Sequence, residues 1–290
     1  MGNKAIVLEL LKHDGVDVNI TNKVGETALT YAVHLGNGAV VRELLKDERV
    51  DVNAKIFYGK TALIHAVERN NAALVRELLT CDRVDVNAKN NALMHAMQWG
   101  NRQAAVRELL KCDRVDVNAK NDTGETALFF AVAVTGHNTA AHLRELLTCD
   151  RVDVNAKNNR GETALIMHMR RGLCHAAVRK LLKCDRVDVD TTDYGDRSAF
   201  FWASYRGCPL SIMQKFLKHG EVDFNTKGAD GNTALMWACL RGRLGMVSEL
   251  LKLPSVDVHA KNKAGSTALD IARALDLVDI AKCLEQHTKK

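Results

Sequence analysis

The sequence predicts an all-α solenoid with short β-hairpin fingers, built from one leading half repeat and eight helix-turn-helix repeats. Three observations predict it. A Val-Asp-Val-Asn-like tetrad starts at Val16, Val50, Val84, Val115, Val152, Val187, Val222 and Val256. A Thr-Ala-Leu-like triplet follows each, at Thr27, Thr61, Asn91, Thr126, Thr163, Ser198, Thr233 and Thr267, mostly at intervals of 34 or 35 residues, with 30 and 37 as the extremes. The ten letters CDRVDVNAKN occupy 81–90, 112–121 and 149–158, and a decayed copy runs from 184 to 193. A fixed period of this length marks units that bury their apolar faces only against their neighbours.

The elements follow in order. Residues 4–12 (KAIVLELLK) read as a second helix with no first helix before it, so the array opens on half a unit. An apolar face there calls for a cap or an upstream segment, and the chain is expected to be trimmed at its start. The seventh repeat shows one full unit. Thr233 is an N-cap whose hydroxyl accepts from the first turn, and Ala234 to Arg241 is a short helix closed by Gly242. Met246, Val247, Leu250 and Leu251 then give a second helix one apolar stripe. Val256-Asp257-Val258 alternates like a short strand, and Ala264-Gly265 makes a tight turn. In the last unit Asp270, Arg273, Asp276, Asp279 and Lys282 supply the polar outer face of a C-terminal cap.

Composition excludes several classes. The 290 residues are 47% hydrophobic and 26% charged, enough for a core, and the two prolines, Pro209 and Pro254, argue against disordered linkers. A net charge of +6 suits an anionic partner without demanding one. No apolar run is long enough to span a membrane, no signal peptide opens the chain, and its start lacks a myristoylation signal. Cys81, Cys112, Cys149 and Cys184 share one place in successive copies. Stacked helices stand about 8–10 Å apart, beyond the roughly 7 Å reach of a disulfide, so the eight cysteines are expected as reduced thiols of a cytoplasmic or nuclear protein. No Cys/His cluster has zinc spacing, and no metal or cofactor is expected.

The pattern G-x-T-A-L-x-x-A, a glycine after the first helix, V-x-x-L-L in the second and V-D-V-N-A at the end resembles the ankyrin repeat, over nearly the whole chain. The resemblance implies a single repeat domain over 1–290: a half repeat at 1–21, seven repeats over 22–260 and a capping repeat at 261–290. There are departures. Alanine stands after the threonine where the family has proline. The third unit, at Asn90-Asn91-Ala92, lacks four finger residues, and the fourth carries three extra around Gly136-His137-Asn138-Thr139. His168 replaces a small alanine between the helices. Each is expected to distort its unit.

Nothing in the sequence supports an enzyme. Gly59-Lys60-Thr61 echoes a phosphate loop but lacks its first glycine, and reads as a finger turn running into a capped helix. The pairs Asp82-Arg83, Asp113-Arg114, Asp150-Arg151 and Asp185-Arg186 read as solvated charge ladders, as do the Arg-Glu pairs of the second helices. What varies is the first helix. One of its columns reads Tyr31, His65, His95, Phe130, Met167, Trp202, Trp237, Ile271, and one turn on come Gln98/Trp99, Arg170/Arg171, Tyr205/Arg206 and Leu240/Arg241. The resemblance implies that these positions line a concave groove. Packing is the competing reading for Phe130, Met167 and Ile271, and it is weaker for Trp202 and Trp237, which would sit beside Arg206 and Arg241. The finger Ile56-Phe57-Tyr58 is apolar where other tips are polar, and forms a second candidate surface.

The expected function is therefore a non-enzymatic protein-protein interaction scaffold, monomeric, holding a protein or peptide along an aromatic and basic groove that favours acidic partners. The alternative is a receptor for an anionic aromatic ligand, such as a nucleotide, an oligonucleotide or single-stranded RNA, in the same groove. Trp202, Trp237, Arg206 and Arg241 are expected to form one open patch.

Overall fold

The computed structural model describes residues 4–56, 59–88, 91–99, 101–133, 139–173, 176–217 and 222–288. Among them lie seventeen helices and no β-sheet, as one unpaired helix followed by eight pairs. The chain forms two compact units, Met1–Val152 and Asp153–Lys290.

The first unit holds α1 (Lys4–Leu11), the pair α2 (Ala28–His34) and α3 (Gly38–Lys46), α4 (Ala62–Glu68) and α5 (Ala72–Leu79), α6 (Ala92–Met97) and α7 (Gln103–Lys111), and α8 (Ala127–Ala133) and α9 (Thr139–Thr148). The second holds α10 (Ala164–Arg170) and α11 (Ala176–Leu181), α12 (Ala199–Arg206) and α13 (Leu210–Leu217), α14 (Ala234–Leu240) and α15 (Leu244–Leu250), and α16 (Ala268–Ala274) and α17 (Val278–Thr288). Within each unit, first helices pack on first helices and second on second.

The repeated triplet starts the first helices. Side-chain oxygens of Thr27, Thr61, Thr163, Ser198 and Thr233 accept from the amide three residues on, which satisfies donors that a first turn leaves free. Asn91 does the same for α6, and Thr267 with Asp270 closes a capping box. The first helices stop on a left-handed residue, Gly242 at φ 64° after α14, with Asn70 (φ 51°) and Asp276 (φ 53°) in the equivalent places. Each second helix turns its stripe inward, as Val40, Val41 and Leu44 on α3 or Met246, Val247 and Leu250 on α15 show. Replacing alanine by His168 leaves α10 helical, with the ring buried. The shortened third finger and the insert of the fourth unit fall at Lys89, Asn90 and 134–138, outside the described residues.

Two expectations are corrected here. The Val-Asp-Val segments form no strand: in the inner repeats both valines are buried (Val84 and Val86, for example) and the aspartate faces out, while Val256 and Val258 near the C-terminal end are only half-buried. The fingers are turns; that of Asn121–Glu125 closes with Asn121 N donating to Glu125 O at 3.0 Å, and Thr192 and Ser198 make the single bridge seen among the described residues. In place of strand pairing, side chains join the units. Asn53 Nδ2 donates to Arg83 O (2.8 Å) while its Oδ1 accepts from Asp85 N (2.7 Å), and Asn87 repeats this with Arg114 O and Asp116 N. The amide imitates a peptide group, so it continues a ladder that the backbone itself does not form.

The Asp-Arg pairs are not charge ladders either. Arg83 donates to four backbone carbonyls in the last turn of α3 and just past it, those of Leu45, Asp47, Glu48 and Val50, at 2.8–3.1 Å. Arg114 and Arg151 clamp the preceding units in the same way. A forked cation there meets carbonyls that the helix end leaves free. The Arg-Glu pairs of the second helices do form a ladder between units: Arg42 to Glu77 at 2.8 Å, Arg76 to Glu108 at 2.9 Å and Arg107 to Glu145 at 2.8 Å.

Cys81, Cys112, Cys149 and Cys184 form no disulfide, as expected, and burial pushes the Cys239 thiol up to about 12. Cys208 is disulfide-bonded, against the expectation of reduced thiols throughout. It lies outside the column of Cys81, Cys112, Cys149 and Cys184, the positions from which the expectation was argued. No helix among the described residues is long and apolar enough to cross a membrane, and no metal-holding cluster occurs there.

Candidate functional site

In the second unit, α12 and α14 lie side by side and bring Phe201, Trp202, Tyr205 and Trp237 into one ring cluster. Helical spacing puts Trp202 and Tyr205 one turn apart, and the next repeat adds Trp237. All contacts are edge-to-face: Tyr205 and Trp237 at 4.8 Å between centroids, Trp202 and Tyr205 at 5.5 Å, Phe201 and Trp202 at 5.8 Å, Phe201 and Trp237 at 6.0 Å. Arginines cover the rings. The Arg241 guanidinium carbon lies 4.3 Å from the Tyr205 centroid and Arg241 Nη2 donates to the Tyr205 hydroxyl, Arg197 lies 4.6 Å from Trp202, and Arg206 lies 5.7 Å from Tyr205. Arg206 also donates to Arg170 O at 2.7 Å, and Arg170 pairs with the buried Glu162. Arg171 is exposed at the end of α10.

The four residues expected as one open patch are thus together, but the patch is not open throughout. Trp202 is only 8% exposed. Its Nε1 donates to Asp193 Oδ2 at 3.0 Å, and Asp193 also accepts from Arg197 Nε, Gly195 N and Arg197 N. The finger Asp193–Arg197 folds over the indole, which becomes the floor of the face. Trp237 is half-buried, and its Nε1 has no acceptor among the described residues.

Two clefts adjoin this cluster and share Arg197 and Trp202 as their common wall. One, of about 590 Å³, is bordered by Arg160, Arg170 and Tyr194; the other, of about 240 Å³, by Phe201, Tyr205, Asp230 and Trp237. Tyr194, 77% exposed at the finger tip, Arg160 and Arg197 escaped the sequence reading. The criterion applied to Ile56-Phe57-Tyr58, an aromatic residue on an otherwise polar tip, finds Tyr194 when applied to every finger. The ring of Tyr194 lies so close over Gly161 (φ 73°) that a Cβ there would stand 2.7 Å from it, so glycine is required by space and by backbone alike.

The remaining candidates lie in the first unit. Trp99 is 55% exposed, with the Arg102 guanidinium 5.2 Å from its ring. Phe130 on α8 and Ile56 in its finger turn are half-buried, while Phe57 and Tyr58 lie outside the described residues. His95 Nε2 meets Glu68 Oε1 at 2.6 Å, and Glu68 also pairs with Lys60 at 2.7 Å. Burial raises the Glu68 carboxyl, but bonds from Lys60 and His95 outweigh it and hold the carboxyl below its usual range.

Beside these, the rings of His34 and His65 stand 5.3 Å apart. Burial first, then Arg69 and His34, lowers the His65 pKa below the ordinary histidine value. Burial first, then Arg102, does the same for His142. The folded unit therefore binds fewer protons at these rings than the unfolded chain, so stability is full above about pH 6.5 and falls as the pH drops below it. The melting temperature should fall between pH 7.5 and 5.5, before any carboxylate titrates, and His65→Gln/His142→Gln should flatten that slope. An unchanged slope in differential scanning fluorimetry would contradict the assignment.

The comparisons with known proteins agree with this architecture. Residues 1–90 and 200–290, more than half of the chain, match the family profile described as ankyrin repeats (3 copies). No curated protein sequence matches. Among solved structures, the crystal structure of the ankyrin repeat domain of Bcl-3, a unique member of the IκB protein family, is similar, with a TM-score of 0.57 and 26% identity over 90% of this chain and 100% of that one. The chain belongs to the ankyrin repeat family.

Proposed function

We propose that this protein is a non-catalytic scaffold whose protein or peptide partner docks on the face built by α12, α14 and the finger Asp193–Arg197. Ankyrin repeats generally mediate protein-protein interaction and are generally non-enzymatic, which supports the class. The observation that carries the site is the ring cluster of Phe201, Trp202, Tyr205 and Trp237 under stacked arginines, beside two clefts. Tryptophan, tyrosine and arginine concentrate binding energy at interfaces, and here each is pre-set by its neighbours, which lowers the ordering cost of docking. An anionic aromatic ligand fits less well. Guanidinium groups already occupy faces of Tyr205 and Trp202 on which a base would stack.

Affinity purification from lysate with and without nuclease identifies the partner class, and titration calorimetry then measures the site. Trp237→Ala is expected to weaken binding by about 2 kcal/mol, roughly thirtyfold, with the melting temperature lowered little. Arg241→Glu should weaken an acidic partner sharply and leave the fold intact. Affinity unchanged by both substitutions would refute the face. A steep loss of affinity between 50 and 200 mM salt, with capture abolished by nuclease, would favour the nucleic-acid alternative instead.

A further inference from the structure

The two adjoining clefts differ in chemistry, and the difference specifies what enters them. The larger cleft contains three arginines and two carboxylates, but the carboxylates are already used. The side chains of Glu162 and Asp193 are only 3% and 2% exposed, held by Arg170 and Arg197 respectively. Asp193 further accepts the Trp202 indole and two backbone amides. The charge that a ligand meets is therefore positive. Arg160 is exposed at the rim, and its guanidinium makes no bond among the described residues. A guanidinium presents a planar fork that matches a carboxylate in two parallel hydrogen bonds.

The smaller cleft is walled by Phe201, Trp202, Tyr205 and Trp237, with Arg197, Ala229 and Asp230 completing it, and its ring faces suit an apolar side chain. Because Arg197 and Trp202 belong to both clefts, one short segment reaches both.

We propose that these clefts read a linear motif in the partner: an aspartate or glutamate taken by Arg160 in the larger cleft, and a large apolar or aromatic side chain of the same short segment seated against Trp237 in the smaller one. This rests on the docking face proposed above and adds the chemistry of its ligand. The two arms of the site are separable, because Arg160 belongs only to the larger cleft and Trp237 only to the smaller.

The probe is a phage-displayed library of random twelve-residue peptides, selected on the full chain. Selected peptides are expected to share an acidic residue at a fixed short spacing from Phe, Tyr, Trp or Leu. Their affinity, read by fluorescence polarisation, should fall at least tenfold on Arg160→Glu and at least tenfold on Trp237→Ala. Changing the acidic residue of the peptide to its amide should cost the wild type as much as Arg160→Ala does, and the two changes together should cost no more than either alone. Circular dichroism checks that each variant is folded; Arg160 is exposed, so its replacement leaves the fold intact. Selected peptides that lack the acidic residue, or whose binding ignores Arg160→Glu, overturn the motif. If such peptides still depend on Trp237, the docking face survives and only the motif falls. If Trp237→Ala leaves every selected peptide bound, both fall, and a library that yields no binder counts against the motif as well.

Discussion

Trp202→Ala is expected to destabilise the second unit by about 3–5 kcal/mol, the range for truncating a large aromatic side chain in a packed site. The indole is buried, contacts Phe201 and Tyr205 edge-to-face, lies beneath Arg197, and gives its N–H to Asp193. Its removal leaves a void under the finger and takes a donor from a buried carboxylate. Trp202→Phe separates the two contributions. A ring remains, Asp193 keeps Arg197 and two amides, and the loss should be about 1–2 kcal/mol. Urea unfolding followed by far-ultraviolet circular dichroism gives both values. A shift below about 1 kcal/mol for Trp202→Ala would mean that the indole is dispensable to the fold and is kept for binding alone.

Arg83→Ala is expected to cost about 2–3 kcal/mol, although its side chain lies at the surface. Four carbonyls at and beyond the end of α3 lose one forked donor at once, and the cation leaves the negative end of the helix. Arg83→Lys should recover little, since an ammonium cannot span four acceptors in a plane. The neighbouring Asp82→Ala is the control. Asp82 is 97% exposed and stands 3.9 Å from Arg114, so its loss should stay within about 0.5 kcal/mol. If Asp82→Ala and Arg83→Ala had equal effects, the pair would be a charge ladder after all.

That contrast shows what the sequence carries. The eight helix pairs are legible because Thr, Ser or Asn recurs at each first-helix start, capping all but α8 among the described residues, and because the second helices keep one apolar stripe. The turn over Val84–Asn87 was not. Alternating burial reports which side chains face inward, and a stacked turn satisfies that as well as a strand does. The meeting of Tyr205, Arg206, Trp237 and Arg241 was legible from helical spacing. The burial of Trp202 was not, because it depends on Asp193, nine residues earlier, bending back over the indole. Nor was the Cys208 disulfide, because Cys208 stands outside the cysteine column that marks the repeat.

The joints between units have one further property. Arg83 grips carbonyls of the preceding unit, and Asn53 grips a carbonyl and an amide of the next; both address main chain, which is the same in every residue. Neither joint asks for a matching side chain across the boundary. A segment of the gene encoding one unit can therefore be duplicated in tandem, or lost by unequal exchange, and the new neighbours meet with their couplings already complementary. Three intact copies of the same ten residues are what such an arrangement leaves behind: letters at the joint held fixed because each must fit any neighbour, and first helices left free to diverge into a surface.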